Sequence, residues 1–232
     1  MKPHIKIAVV VISLLSLSKV NGQKLEGDFL TTHLLKPIDF SVPRFTLGFI
    51  KQIDQDYSIG IDVGYGSEGL AFFKDSDFPK NDYKLKEIGL EFYKFFESSR
   101  TLSEYVSLEV HYLNHVETRI NEFYEPDNQT YLQFDQADYE RNKIALNAKF
   151  GILARLKNSF GINAYAGVGV RIRDNKFENI INPRPSDSIE NEGPYPVDIV
   201  AAFDNTYERA GTRIGLNVTF GANIILQLKK AP

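Results

Sequence analysis

Apolar and polar side chains alternate with a period of two along seven stretches of this chain, the spacing that puts successive residues on opposite faces of a β-strand. Phe45, Leu47 and Phe49 open the series, and after Asp54-Gln55-Asp56 it resumes with Tyr57, Ile59, Ile61, Val63 and Tyr65, interleaved with Ser58, Gly60, Asp62 and Gly64. Ile88, Leu90 and Phe92 oppose Glu87, Gly89 and Glu91, and Val106, Leu108, Val110 and Tyr112 oppose Ser107, Glu109 and His111. Next come Ile144 to Ile152 against Lys143, Asn147, Lys149 and Gly151, and Ile162 to Ile172 against Asn163, Tyr165, Gly167, Gly169, Arg171 and Arg173. A final strand sets Ile214, Leu216, Val218 and Phe220 against Arg213, Asn217 and Thr219.

Link lengths alternate as well. Short links near 54–56, 97–102 and 157–160 separate strand pairs, and long connections, 66–82, 121–137 and 174–210, lie between the pairs. Bacterial outer-membrane barrels put short turns on the periplasmic side and long loops outside. For the chain to begin and end on the periplasmic side, an eighth strand must precede Phe45, within 27–36, although its alternation is poor and Pro37 and Pro43 follow. The expected fold class is therefore all-β: an eight-stranded antiparallel up-and-down transmembrane β-barrel.

A soluble exported barrel or sandwich would show the same alternation with its apolar face turned inward. The strands here exceed the usual ~5–6 residues of globular sheets. Their polar face mixes glycines with both signs of charge. Aromatics near strand ends, Tyr65, Phe95, Phe96, Tyr105, Tyr112 and Phe160, are read as interfacial girdles. Lys94 shares the lipid-facing parity and needs its ammonium to snorkel toward the interface.

The N-terminus bears on location. Lys2 and Lys6 flank the start of an apolar run, Ile7 to Leu17, and Val20-Asn21-Gly22 precedes a cut ahead of Gln23, which reads as a secretory signal over 1–22. The run is shorter than the roughly 20 apolar residues a spanning helix needs. The remaining 23–232, about 210 residues, suit one barrel domain. With no cysteine, Cys-linked acylation, disulfides and thiolate metal sites are excluded. A net charge of −3 provides no basic surface for nucleic acid.

The runs Phe45-Thr-Leu-Gly-Phe49, Tyr57-Ser-Ile-Gly-Ile-Asp-Val-Gly-Tyr-Gly66 and Arg213-Ile-Gly-Leu-Asn-Val-Thr-Phe220 resemble those of small outer-membrane barrels of the OmpA-like and OmpX-like eight-stranded superfamily. The likeness covers roughly Leu25 to Leu228 and implies architecture, not activity. Such proteins include membrane anchors and adhesins. About a dozen residues follow Phe220, where the family often ends on an aromatic.

On the strand parity, Asp62, Glu87, Glu91 and Glu109 point into the lumen with Lys143, Lys149, Arg171, Arg173 and Arg213, four acids against five bases. An eight-stranded interior is just filled by side chains, so these nine are expected to form an ionic plug. Glu109 and Lys149 are expected to interact, whereas Asn147 is read as a neutral lumen position beside lipid-facing Leu146. A paired-carboxylate centre at Glu87 and Glu91 is disfavoured, since both lie on one strand among cations. His111 and His115 lie roughly 13 Å apart along a strand, too far to share a metal ion. The glycines at 60, 64 and 66 match no phosphate loop and are read as relief of lumen crowding. No catalytic, metal or cofactor site is assigned.

The expected role is a non-enzymatic, monomeric barrel of a Gram-negative outer membrane. Lipid is its immediate partner, and any extracellular ligand would meet the long loops. A narrow solute channel is the alternative, and a lipid-modifying enzyme a more remote one.

Overall fold

The computed structural model describes residues 27–38, 42–54, 56–70, 82–96, 102–127, 130–156, 159–185 and 208–228. The expected signal, 1–22, lies outside the described residues, as do most of the connections at 71–81 and 186–207. The strands are β1 (Phe29–His33), β2 (Phe45–Gln52), β3 (Tyr57–Ser67), β4 (Lys84–Phe95), β5 (Leu102–Ile120), β6 (Phe123–Asp127), β7 (Thr130–Gln133), β8 (Gln136–Arg155), β9 (Phe160–Ile181), β10 (Arg184–Pro185) and β11 (Gly211–Gln227). Among the described residues the only helical segments are two single 3₁₀ turns, Lys36–Ile38 and Glu68–Leu70. Among the described residues no helix is long and apolar enough to cross a membrane.

Eight strands pair antiparallel in the order β1-β11-β9-β8-β5-β4-β3-β2 and close into a barrel. β1, the weakly patterned first strand, makes the closure: Phe29 faces Gln227 of β11 on one side and Ile50 of β2 on the other. A row of directly opposite residues starting at Phe29 runs through Ile50, Gly60, Glu91, Glu109, Asn147 and Gly169 to Asn217. It arrives ten residues short of Gln227, the partner of Phe29 (227 − 217 = 10). A closed sheet with such a stagger has strands inclined to its axis by roughly 35–45°. The chain ends of β1 and β11 lie at the same end as the three short links.

The alternation resolves into two different surfaces. Inward side chains are mostly buried, and outward ones, such as Leu108, Val168 and Phe220, are 59%, 59% and 74% exposed. At the short-link end the inward residues become apolar: Phe29, Ile50, Tyr93, Phe95, Tyr105, Leu153 and Ile225 form one buried cluster. This floor corrects two expectations. Phe95 and Tyr105 are not girdle residues but point inward, 7% and 1% exposed, whereas Tyr65, Phe96, Tyr112 and Phe160 remain outward and exposed. The last strand does not stop near Phe220 but continues to Gln227. Its pattern fades at Ile224-Ile225-Leu226 because Ile225 enters the apolar floor while its neighbours face out, so both faces are apolar there.

The expected loops 121–137 and 174–210 also contain more structure. β5, β8 and β9 run for 19, 20 and 22 residues, against 8, 11 and 12 for β2, β3 and β4. They form a wall rising beyond the rest of the barrel at the long-loop end. Its outward residues include Thr118, Asp138, Glu140, Lys176 and Glu178. With polar side chains on the outer face, alternation is lost although the strand persists. A small sheet, β10-β7-β6, packs on the wall through Tyr124, Phe134 and Ala137, with Leu132, Phe177 and Ile180 against them.

Candidate functional site in the barrel interior

All nine ionic residues expected in the lumen lie on the inward parity. Glu87, Glu91, Glu109, Lys149, Arg171 and Arg173 are buried, and Asp62, Lys143 and Arg213 are half-buried. The structure divides them into separate groups rather than one plug.

The middle group centres on Lys149. Glu91 of β4 and Glu109 of β5 face each other directly in the ladder, a repulsive placement for two carboxylates. Lys149 Nζ lies between them, 3.0 Å from Glu91 Oε2 and 2.5 Å from Glu109 Oε1. Its ladder partner is Ser107, so the extended ammonium reaches one residue pair along to meet Glu109, whose own partner is Asn147. Ser107 donates to Glu91 at 2.5 Å, Asn147 donates to Glu109 at 2.7 Å, and Asn217 donates to Asn147 at 2.7 Å. The ammonium also lies 4.5 Å from the Tyr165 ring centroid. The hydrogen-bonded chain therefore links β4, β5, β8 and β11, and Asn147 is a working member of it.

Glu87 anchors the second group. It accepts from Lys36 Nζ at 2.6 Å and Arg44 Nε at 2.9 Å, and His111 Nε2 lies 3.3 Å away. Lys36 and Arg44 come from the β1–β2 connection, which folds over this end of the lumen; the strand pattern does not mark them. Asp62 faces Gly89, which faces His111, and the missing side chain at Gly89 lets the Asp62 carboxylate lie over it toward the histidine. Ligand-type atoms of Asp62, Glu87 and His111 fall within 4.8 Å of one another. Lys36 and Arg44 already supply positive charge at that carboxylate, so the cluster is held as an ion-pair network. Glu87 and Glu91 thus belong to different groups.

Toward the long loops, His115 Nε2 approaches Glu117 at 3.4 Å, and Arg119 Nε donates to Glu117 at 2.8 Å. The Arg119 guanidinium stacks 3.7 Å above the Tyr139 ring, and the imidazole of His115 meets the Tyr83 and Tyr139 rings edge-on. His111 and His115 therefore engage different carboxylates. Above this layer, Arg209 pairs with Glu125 at 2.5 Å, tying the start of β11 to β6.

Among the described residues, Lys36, Arg44, Arg119, Arg141 and Arg209 join the bases of the expected four-to-five set, and Glu117, Glu122 and Glu125 join its acids. In mid-lumen, the void beside Asp62, Glu91, Lys149, Tyr165 and Asn223 is about 10 Å³, room for about one water.

No family model matches the chain, and no curated protein matches it.

What the strand parity missed are the contributors without a periodic signature or without charge: Lys36 and Arg44 in a connection, and Ser107, Asn147 and Asn217 as uncharged links. Their polar identity at inward positions was legible. Their partners were not, because each bond crosses between strands far apart in sequence.

Proposed function

We propose that this chain is an outer-membrane β-barrel with a structural or surface-interaction role. The observation that carries this reading is the sidedness of a closed barrel: its charges point in and its bare apolar rows point out. One such row runs Phe49–Ile61–Leu90–Val110–Leu146–Val170–Leu216 and the next Leu47–Val63–Ile88–Tyr112–Ile144–Ile172–Ile214, across seven neighbouring strands. Water would penalise this surface, and hydrocarbon would not.

The rows end where a lipid interface would be expected. Toward the long loops, the next outward row begins with the aromatics Phe45–Tyr65 on β2 and β3 and turns polar from β4 onward as Lys86–Asn114–Asn142–Asp174–Thr212. Its members bond to each other and to their neighbours: Tyr112 to Asn142 at 2.8 Å, Asn114 to Asn142 at 2.9 Å and Thr212 to Asp174 at 2.7 Å. Toward the short links, Lys51, Lys94 and Glu104 appear on the outward face. Lys94 lies 6.0 Å from the Tyr57 ring centroid, an aromatic contact suited to a snorkelling cation. On this reading the short links are periplasmic, and the tall wall with its small sheet faces outward, where it would meet any extracellular ligand.

The filled interior and apolar floor favour this role over an open channel. Cell fractionation tests the reading. The mature chain should sediment with outer membranes and show a heat-modifiable band on gels, and recovery as a detergent-free soluble protein would overturn it.

A further inference from the structure

The outward face of a barrel is convex, so a groove on it must come from the sizes of neighbouring side chains. Toward the short links, one outward row runs Lys94–Val106–Phe150–Ala166–Phe220, and the row above it includes Leu108–Ala148–Val168. The methyl group of Ala166 therefore stands between two rings, and that of Ala148 between two branched side chains. Phe220 is 74% exposed and flanks the gap without closing it. The result is an apolar groove of about 790 Å³ on the outer surface. That volume is in the range, roughly 300–1,000 Å³, of sites that hold small organic ligands.

One charged side chain faces outward along this groove. Lys94 lies at its β4 end beside the Tyr57 ring, which stacks on Phe92 at a centroid distance of 5.6 Å. Among the described residues no carboxylate pairs with the Lys94 ammonium, and neither row that forms the groove contains an acid. An apolar slot thus ends at a cation that lacks a counter-charge.

We propose that this groove holds an acyl chain of an anionic phospholipid, with Lys94 donating to the headgroup phosphate. The inference rests on the membrane reading, which sets Lys94 at the short-link edge of the apolar rows, where headgroups of the periplasmic leaflet would lie. The chain would fill the slot beside Ala148 and Ala166, and the phosphate would give the ammonium charge-assisted hydrogen bonds. A zwitterionic lipid fits the slot equally but brings its own cation to the phosphate. A second copy of the barrel meeting this face would offer Lys94 no acid from the same two rows.

Native mass spectrometry of the detergent-solubilised full chain tests it, with palmitoyl-oleoyl-phosphatidylglycerol and the phosphatidylcholine of the same chains added in equal amounts. One phosphatidylglycerol per barrel should be retained in preference by about fivefold, the worth of one lysine beside an anionic lipid surface. Lys94→Gln should abolish that preference while both lipids still bind, and Lys94→Arg should keep it. Ala166→Phe should fill the slot and lose retention of both lipids. If Ala166→Phe does not fold, the two Lys94 variants decide the matter. Equal retention of the two lipids by the unaltered chain, or a preference that Lys94→Gln leaves intact, would overturn the site. So would a dimer mass that Ala166→Phe abolishes while lipid retention persists, which would make a second copy the occupant. Folding into phosphatidylcholine vesicles without this lipid selectivity would overturn the site alone, whereas recovery as a detergent-free soluble protein would overturn the membrane reading with it.

Discussion

Lys149 concentrates the energetics of the interior in one side chain. It separates two carboxylates that face each other across a ladder, so its removal leaves both buried without their cation. Lys149→Met is expected to cost roughly 3–5 kcal/mol, read from urea unfolding of the folded barrel. Glu109→Gln should cost less, about 1–3 kcal/mol, because the amide oxygen still accepts from Lys149 and Glu91 keeps its partner, while the amide nitrogen can no longer accept from Asn147. In the exchange Glu109→Lys with Lys149→Glu, the new lysine would again lie between two acids, so the double variant should regain part of the loss from Glu109→Lys. Strictly additive effects would show that the pair is not coupled. Asn147 differs from its sequence reading: it donates to Glu109 and accepts from Asn217 while buried, so Asn147→Ser should cost about 1–2 kcal/mol rather than nothing.

Within the strands, depth and cross-strand shape decide what is tolerated. Leu146 lies in the middle of the apolar rows, and Thr118 lies on the same outward surface but in the wall beyond the polar row. Leu146→Arg should destabilise by about 2–4 kcal/mol and Thr118→Arg by about 0–1 kcal/mol, measured by folding into lipid vesicles. Equal costs at the two sites would contradict a lipid boundary between them. Inside, Phe95, Tyr105, Gly151, Tyr165 and Gly221 form one row on five successive strands in which tyrosines alternate with glycines. Each ring lies over the neighbouring bare backbone, and a methyl group at Gly221 would fall 2.5 Å from the Tyr165 hydroxyl. Gly221→Ala should therefore cost about 1–3 kcal/mol through forced displacement of the ring, visible as a lower thermal midpoint. Gly69, where a methyl would meet nothing within 4 Å, is the control position.

At the scale of the molecule, two closures in series oppose conduction: the apolar floor at the short-link end and the Lys149 network above it. The purified chain in planar bilayers should show no stable single-channel steps. Tyr105 sits in the floor, 1% exposed, and donates to Asn163 at 2.9 Å. Tyr105→Ala is the variant expected to introduce transient current, if any single change does. Steady conductance in the unaltered chain would instead favour the channel reading.

The period of two was enough to place seven strands, sort most of their side chains between two faces and collect the nine ionic lumen residues, though it left Phe95 and Tyr105 on the wrong face. That information is local, since adjacent side chains of a strand point in opposite directions whatever the strand pairs with. It failed where both faces share one solvent: at Ile224-Ile225-Leu226, where both are apolar, and along 174–181, beyond the polar row. Partnership was beyond its reach. That Lys149 serves two acids, that Lys36 and Arg44 reach Glu87, and that Lys143, Arg173 and Arg213 stand side by side all depend on register between strands and on the ten-residue stagger of closure. A strand shifted by two residues keeps every side chain on its own face and changes every neighbour, so the sidedness belongs to the chain and the contacts belong to the closed barrel.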